Sequence, residues 1–503
     1  MRDKNMSNKC LRVLCIYVSC LVVLMGLAGC NTTNSTTHAT TTTSTPAITS
    51  ITTSTTPSST ITTLSNTTES TTDMPMGMHP PDINEILIIK YDSNGSQIWQ
   101  NIEDFGEKND SVSLNLDESG NSYIINANYN VKYDNNGKQV YFNTITNNTI
   151  MTPKSVLDAE GNIYVIAEPD TSGINVCKYD KNGKQVWAEQ YQYPGDLITL
   201  PSGITLDHAG NIYITGFTST KGEASSDSVD CKLLILKFDN QGNLLSSVKD
   251  GGPMQGTSAI GPALDNNGNI YVTGFLVTNP VNPTSPGYYI ENYEYVTVKY
   301  DAKGTKQWEN YYHGPVNDAD IPHDIKVDSG GNVIVTGESG GLGNIPEIAT
   351  IKYDTDGKEL WVNRYDENNG RGGTPSAMTI DDQGNIYITG RSFNNSLGDN
   401  YITIKYDSSG RQLWDAMYDG TGNGFINEAN ALFVDNNGNV YVTGKCGQDS
   451  QYVTYDTIKY SPDGNKLWVA SYSKTNFIDR PDKLMVDALG NVYLIGRIAS
   501  YSK

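Results

Sequence analysis

Hydrophobic and polar residues alternate in short segments along most of the chain after residue 85. Segments such as IKVD, ALFVD, NIYITG and NVYVTG switch between apolar and polar side chains, and turn-forming residues separate them. A period of two is typical of a β-strand that buries one face. The pattern therefore predicts an all-β domain built from many short strands.

Two turn motifs separate these segments. The first is Asp-x-x-Gly-Asn, which occurs eight times and begins at Asp117, Asp158, Asp207, Asp265, Asp328, Asp381, Asp435 and Asp487. The second is Lys-Tyr-Asp-x-x-Gly-x-x-x-Trp in its fullest form, with turns that begin at Asp92, Asp134, Asp180, Asp239, Asp301, Asp354, Asp407 and Ser461. The first side chain can accept a backbone hydrogen bond, and the Gly supplies the left-handed residue of a bulge. Each motif predicts a tight hairpin, so the chain is predicted to form sixteen hairpins in series.

Two hairpins together make a four-stranded unit that repeats every 41 to 63 residues or so. This period is typical of the blades of a β-propeller. The chain begins with a hairpin of the second type and ends with one of the first type, so the two ends can combine into one blade. The sequence predicts an all-β propeller of eight four-stranded blades, the last closed by the N- and C-terminal hairpins, which leaves no open edge inside the ring. Seven blades are the alternative if a terminal hairpin stays unpaired.

The tryptophans share one position in the repeat, four residues after the turn Gly of the second motif. They are Trp99, Trp187, Trp308, Trp361, Trp414 and Trp468, while Tyr141 and Ser246 fill this position in the other two repeats. A large aromatic side chain at a fixed place in the outer strand predicts packing between blades. Ligand stacking is the disfavoured interpretation, because a binding site seldom repeats in every blade.

The long connections predict where a binding site lies. All sixteen short turns join the first strand to the second or the third to the fourth, so they share one face of the disc, and the long connections emerge on the other. Variable loops on a rigid scaffold commonly carry function. The segment 275–294 is the richest, since Tyr288, Tyr289 and Tyr293 suit contact with a polymer or a protein. A solvated insertion is the alternative interpretation.

One connection between blades contains several residues of the metal-ligating types. His313, Asp318, Asp320 and His323 lie within a short stretch and could hold a divalent cation such as Ca²⁺. Ordinary loop polarity explains the same residues, and no other cofactor is expected.

The N-terminus has the pattern of a secretion signal. Basic residues precede an apolar run from Val13 to Ala28, which is shorter than the roughly 20 residues of a membrane span. The run ends in Leu27-Ala28-Gly29-Cys30, which resembles the lipobox of prokaryotic lipoproteins. The resemblance implies that residues 1–29 are a removed signal peptide and that the thiol of Cys30 carries the lipid that anchors the protein to a membrane.

Residues 30–80 are predicted to be a disordered stalk. About two-thirds of the positions from Asn31 to Asp73 are Ser or Thr, and such a segment cannot bury enough apolar surface to fold. The propeller is predicted to occupy residues 81–503. Its three cysteines, Cys177, Cys231 and Cys446, are an odd number, which argues against a disulfide framework.

The charge of the chain excludes one class of partner. The chain has 56 acidic and 35 basic residues, a net charge of −21, so no basic stripe is available to bind nucleic acid. A monomer is expected.

The strings D-x-x-GN-x-YVTG and I-K-Y-D-x-x-G-x-x-x-W resemble bacterial SBBP-type β-propeller repeats over residues from about 85 to the C-terminus. The resemblance implies a secreted or surface propeller without an assigned activity.

Together with the stalk, this resemblance favours a lipid-anchored, surface-exposed module that binds an extracellular protein or polysaccharide. An extracellular glycan-acting enzyme that uses carboxylates of the loop face and an envelope assembly scaffold are the alternatives. No catalytic residue is assigned, because no Ser-His-Asp or Cys-His motif occurs in a recognisable local context.

Overall fold

The structure is a computed structural model, and residues Pro81–Lys503 form one compact unit. It describes residues 82–104, 112–126, 128–145, 151–168, 173–220, 231–252, 254, 259–278, 292–316, 319–341, 345–365, 372–393, 398–420, 426–447, 453–473 and 478–500. Cys30 and the Thr/Ser-rich segment lie outside the described residues. Within the described ranges, no helix is long and apolar enough to cross a membrane.

Thirty-two β-strands lie within the described residues. They are β1 Asp82–Tyr91, β2 Gln97–Asp104, β3 Val112–Leu116, β4 Ser122–Asn126, β5 Tyr129–Tyr133, β6 Gln139–Thr144, β7 Met151–Leu157, β8 Ile163–Glu168, β9 Ile174–Tyr179, β10 Gln185–Tyr191, β11 Ile198–Leu206, β12 Ile212–Ser219, β13 Lys232–Phe238, β14 Leu244–Asp250, β15 Ile260–Leu264, β16 Ile270–Thr278, β17 Asn292–Tyr300, β18 Lys306–Tyr312, β19 Ile321–Val327, β20 Val333–Ser339, β21 Glu347–Tyr353, β22 Glu359–Tyr365, β23 Gly373–Ile380, β24 Ile386–Ser392, β25 Asn400–Tyr406, β26 Gln412–Tyr418, β27 Ile426–Val434, β28 Val440–Gly447, β29 Val453–Tyr460, β30 Lys466–Tyr472, β31 Ile478–Val486 and β32 Val492–Ser500.

These strands form eight antiparallel sheets of four strands each, arranged as a β-propeller. Blades 1 to 7 consist of consecutive strands, from β3–β6 through β27–β30. Blade 8 has the order β2-β1-β32-β31, so both chain ends contribute to it, and β1 pairs with β32 from Asp82↔Ser500 to Tyr91↔Val492. The predicted eight-bladed ring with a shared last blade is confirmed.

The first strand of each blade lies at the centre of the ring. Each first strand contacts the first strand of the next blade, and β31 of blade 8 contacts β3 of blade 1, which closes the circle. The core lies between neighbouring blades: Ile348 of blade 5 packs in one cluster with Met378 and Ile402 of blade 6, all three buried. Strands such as β12 and β25 are therefore buried on both faces, although the alternation predicted strands that bury one face.

The sixteen predicted turns are present, and their aspartates have a structural role. In every turn the fourth residue donates its N–H to the carbonyl of the first, and the Gly has a φ between 74° and 90°. In the turn at Asp207, one carboxylate oxygen accepts the N–H of Asn211, while the other accepts the Asn211 amide and the Tyr213 hydroxyl. Much of the acidity of the chain thus serves turn formation.

The tryptophans hold the next blade, as predicted. The Trp414 indole donates to the carbonyl of Pro462 at 2.9 Å, and a Cβ on Gly464 would lie 2.7 Å from its ring. The same bond runs from Trp99 to Asn135, from Trp187 to Asn240, from Trp308 to Thr355, from Trp361 to Ser408 and from Trp468 to Ser93. The last of these joins blade 7 to the N-terminal hairpin.

A lysine supports each of these tryptophans, a role that the sequence alone did not reveal. Lys405 lies over the ring of Tyr387 at 5.0 Å and donates to the same Pro462 carbonyl at 3.1 Å. Equivalent bonds join Lys90 to Asn135, Lys178 to Asn240, Lys299 to Thr355, Lys352 to Ser408 and Lys459 to Ser93. Two donors from one blade thus converge on one carbonyl of the next.

The side chains of Cys177, Cys231 and Cys446 are buried. Burial raises the pKa of the Cys177 thiol to about 11. This thiol therefore stays protonated and packs as a small apolar group.

Candidate functional site

The two faces of the disc differ in construction. The antiparallel order places all sixteen turns on one face, called here the turn face, and all other connections on the opposite face, called the loop face. Every short turn lies within the described residues, whereas parts of the loop-face connections lie outside them. The turn-face aspartates bond within their own turns.

Two groups of predicted site residues meet where blades 4 and 5 adjoin on the loop face. Tyr293 belongs to β17, and its ring makes an edge-on contact with Phe275 of β16, with ring centres 5.0 Å apart. The N–H of Asp320 donates to the Tyr293 carbonyl at 3.0 Å, which ties the two blades together. Tyr288 and Tyr289 lie outside the described residues, in the connection between β16 and β17. Tyr293 and Asp320, although predicted separately, are therefore neighbours.

The two histidines of this region belong to different pairs. Nδ1 of His313 lies 3.9 Å from a carboxylate oxygen of Glu294, and its side chain is 64% exposed. Nε2 of His323 lies 3.9 Å from a carboxylate oxygen of Glu338. The two histidines thus have different carboxylate neighbours, on β17 and β20.

Asp320 is buried and has structural partners. One carboxylate oxygen accepts the N–H of Gly314 at 2.7 Å, and the other accepts the hydroxyl of Ser339. Burial raises the pKa of this carboxyl, and the hydrogen bonds offset only part of that effect. The carboxylate therefore holds the connection between blades 4 and 5 in place.

The residues predicted to bind a cation do not form a metal centre in the part of the chain that the structure describes. There, no three His, Cys, Asp or Glu side chains lie close enough together to hold a metal ion. Asp318 lies outside the described residues. A cation site that includes Asp318 stays a prediction.

An exposed aromatic side chain lies at the loop-face end of blade 4. Tyr311 of β18 is 46% exposed, and its hydroxyl donates to Glu309. Tyr311 lies opposite Val296, which packs towards blade 3, whereas Phe275 lies opposite Tyr295, which packs towards blade 5. Tyr311 and the Phe275–Tyr293 pair are therefore on opposite sides of the blade 4 sheet. Aromatic rings with a polar edge stack on sugars and peptides and can donate hydrogen bonds to them.

A second feature of the loop face escaped the sequence prediction. The position after the Thr-Gly of each second strand, or its equivalent, holds unlike side chains in the described blades: Glu168, Phe217, Phe275, Glu338, Arg391, Lys445 and Arg497. On the turn face, by contrast, the repeat keeps the same residue types. The signal was present in the sequence, as a variable position after a recurrent Thr-Gly.

The cations at this position are paired with carboxylates. Arg497 lies 3.0 Å from Asp482, and Lys445 lies 3.2 Å from Glu428. Arg391 lies 3.4 Å from Asp399. The pKa of Asp399 is raised, first by burial and also by the charge of Glu428, against the opposing effects of the two cations. The loop face of blades 6 to 8 is thus a region of mixed charge in an otherwise acidic protein.

The geometry defines the class of the protein as an eight-bladed β-propeller with a chemically varied loop face. No protein-family model matches the chain. No curated protein matches it either.

Several solved structures are similar in fold. A protein of unknown function from Bacteroides caccae is 13% identical, with a TM-score of 0.33, and the match covers 62% of this chain and 93% of that one. A gluconolactonase from Xanthomonas campestris is 14% identical, with a TM-score of 0.30, over 62% of this chain and 91% of that one. An ulvan lyase of polysaccharide lyase family PL25 is 9% identical, with a TM-score of 0.38, over 71% and 90%. At these identities the likeness concerns the fold alone.

Proposed function

We propose that the protein is a cell-surface lipoprotein whose propeller binds an extracellular protein or polysaccharide. In this proposal residues 1–29 are removed, Cys30 carries the lipid anchor, and residues 30–80 extend the SBBP-type propeller away from the membrane. It acts as a monomer without a catalytic residue. The repeat motifs, the lipobox and the Ser/Thr-rich stalk support this proposal.

The contrast between the two faces carries the proposal. On the turn face each repeat keeps the same residues, and their polar atoms bond within the turns, as at Asp207. On the loop face equivalent positions hold aromatic, acidic and basic side chains such as Phe275, Glu338 and Arg391. Packing alone would favour one residue type at a repeated position, so the variety on one face points to selection for contact with a partner.

The loop-face end of blade 4 is the best candidate for that contact. Tyr311 is exposed on the side of the sheet that faces blade 3, where the His313–Glu294 pair is accessible. Phe275 and Tyr293 form an aromatic pair on the side that faces blade 5. A planar ring next to hydrogen-bonding groups suits a sugar ring or an extended peptide.

Binding to a glycan array and to a panel of extracellular matrix proteins tests the proposal. The full chain in detergent is expected to bind at least one ligand, and Tyr311→Ala is expected to weaken that binding by about tenfold, the cost of losing one central aromatic contact. Leu489→Ala is the matched control, since Leu489 is 79% exposed in a turn of the opposite face. The double variant Tyr288→Ala/Tyr289→Ala extends the test to the connection between β16 and β17.

Comparison with the Leu489 control also shows whether binding uses the loop face or the turn face. Equal losses in the Tyr311 and Leu489 variants, or no binding to any ligand, would contradict the proposal. Shortening of a bound glycan during the incubation would instead support the alternative of a glycan-acting enzyme.

A further inference from the structure

Three side chains recur at the boundaries between blades, and each donates a hydrogen bond to a turn of the next blade. At the boundary between blades 5 and 6, the Trp361 indole and the Lys352 ammonium donate to the Ser408 carbonyl. The Asn363 amide donates to the Gly410 carbonyl of the same turn. All three donors lie on the two outer strands of blade 5, β21 and β22. They therefore fix the outer part of the boundary.

The boundary between blades 3 and 4 lacks all three of these bonds among the residues that the structure describes. Ser246 takes the tryptophan position, and Val248 takes the asparagine position and packs against the turn glycine, Gly304. Lys237 lies opposite Ser246 and over the ring of Tyr213 at 4.7 Å, without a hydrogen bond to the turn of blade 4. Within the described ranges, every other boundary keeps at least two of the three bonds.

Other polar contacts join blades 3 and 4. Asp250 of β14 accepts the Tyr300 hydroxyl at 2.5 Å, and its carboxylate lies 2.9 Å from the Lys306 ammonium. The side chain of Lys306 is 36% exposed, so solvent weakens this ion pair. Near the centre of the ring, the Thr215 hydroxyl donates to the Gly261 carbonyl at 2.8 Å. The inner strands are therefore joined by a directed bond, whereas the outer strands depend on one carboxylate.

The remaining contacts across this boundary are apolar. Ile235 of β13 and Val296 of β17 are buried in one cluster that spans the two blades. An open recess of about 180 Å³ adjoins this cluster, and it is lined by Leu233, Asp250, Gly252, Met254, Val298 and Tyr300. Because the hydrophobic effect has no direction, apolar packing lets two blades shift in a way that hydrogen bonds to fixed carbonyls do not.

We propose that the ring opens first at the outer part of the boundary between blades 3 and 4. The outer strands of the two blades separate there, while the bond from Thr215 to Gly261 keeps the inner strands together. Tyr311 and the His313–Glu294 pair lie on the side of blade 4 that faces this boundary. The opening therefore changes the spacing between that surface and blade 3, and it makes this boundary the adjustable part of the loop face. It takes place whether or not a ligand is bound.

Labelling of a buried thiol in the native full chain, kept in detergent, tests the proposal. Val296→Cys places a thiol at the boundary between blades 3 and 4, and Ile402→Cys places one at the same repeat position between blades 5 and 6. Both native side chains are 0% exposed, so a thiol reagent reaches these positions only when the boundary opens. We expect the thiol at position 296 to react about tenfold faster or more, because one hydrogen bond changes such an equilibrium by up to about tenfold. Mass spectrometry of peptides identifies the cysteine that reacted.

Restoring the repeated side chains gives a second measurement. Ser246→Trp/Val248→Asn, added to Val296→Cys, is expected to slow the labelling about tenfold, since the missing donors are supplied. Leu245→Trp is the matched control, because it adds an indole at a neighbouring position that is 53% exposed and is expected to leave the rate unchanged. Asp250→Asn removes the charge that pairs with Lys306, and it is expected to speed labelling at position 296 and not at position 402.

Three results would overturn this inference. The first is equal labelling of Val296→Cys and Ile402→Cys, which would mean that all boundaries open together. The second is an unchanged rate in a Ser246→Trp/Val248→Asn variant whose circular dichroism shows a folded propeller. The third is an equal effect of Asp250→Asn at both positions, which would indicate global unfolding. These measurements use no ligand, so their outcome is separate from that of the proposed binding function.

Discussion

Single residues explain why neighbouring blades stay in register. A carbonyl oxygen has two lone pairs, and the Pro462 carbonyl accepts both the Trp414 indole and the Lys405 ammonium. The turn Gly464 packs against the indole face, where a larger residue would collide with the ring. This contact recurs around the ring, so blade orientation depends on a small set of repeated atoms.

Replacing one of these tryptophans is expected to destabilise the whole ring. Trp414→Leu removes the bond to Pro462 and the contacts with Tyr387 and Tyr460, whose ring centres lie 6.4 and 6.2 Å away. We expect a loss of about 2–3 kcal/mol in the free energy of unfolding. Urea denaturation followed by circular dichroism measures it. Leu413→Ala, at a neighbouring side chain that is 42% exposed, is expected to cost less than about 0.5 kcal/mol. Similar losses in both variants would argue against the anchoring role.

The turn aspartates predict sensitivity to acid. Burial alone would raise the pKa of Asp328, but hydrogen bonds from Lys352 and Asn332 and the Lys352 charge 2.9 Å away outweigh it, so its pKa is lowered. A lowered pKa in the folded state gives a stabilisation that is complete above the unfolded value of about 3.9 and is lost as pH falls through the folded value. The protein is therefore expected to lose stability below about pH 4.

The variant Asp328→Asn isolates this effect. It is expected to lower the urea midpoint at pH 7 and to flatten the fall in stability between about pH 5 and pH 3. Asp463→Asn, at an exposed turn position, serves as the comparison. The interpretation would be wrong if both variants kept the acid dependence of the parent chain.

The role of a residue could be predicted from the sequence only where that role recurs in the repeats or is fixed by the register of a hairpin. The tryptophan position was visible because it recurs, and the hairpin register also places each lysine opposite a tryptophan, as in the pair Lys405↔Trp414. The different environments of Asp320 and His323 could not be predicted in this way. Neighbours from blade 4 and blade 5 decide that Asp320 is buried while His323 faces Glu338, and no local pattern contains those neighbours.

At the scale of elements, the positions of the turns and strands could be predicted from local residue patterns, but the β-bulges could not. The first strands carry register shifts, as between Pro201 and Gly203 and between Pro322 and Asp324. Proline lacks an N–H and is tolerated at a bulge, yet alternation alone does not place the extra residue.

At the scale of the whole molecule, the ring is closed by main-chain pairing of its ends. The two terminal hairpins join in one sheet, and Asp82 lies opposite Ser500. The order of hairpin types along the chain predicted this closure. Neighbouring blades elsewhere in the ring are joined by side chains, turn carbonyls and isolated main-chain bonds such as that from Asp320 to Tyr293, so blade 8 alone unites distant parts of the chain through a β-ladder.

Circular permutation measures what this closure contributes. Because the ends are neighbours, a short linker can join residue 500 to residue 82, and the chain can be opened elsewhere. Opening it between β28 and β29 again divides one blade between the two ends, whereas opening it between β22 and β23 leaves eight continuous blades with no β-ladder between the two ends.

We expect both permutants to fold, since each keeps all eight sheets. The permutant opened between β22 and β23 is expected to have a lower urea midpoint, and the amides of its terminal blades to exchange hydrogen about tenfold faster or more than those of the other permutant, because these blades can separate without breaking a β-ladder. Hydrogen exchange with mass spectrometry resolves the blades individually. Equal exchange in the two permutants would mean that the tryptophan and lysine contacts hold the ring closed without help from the shared blade.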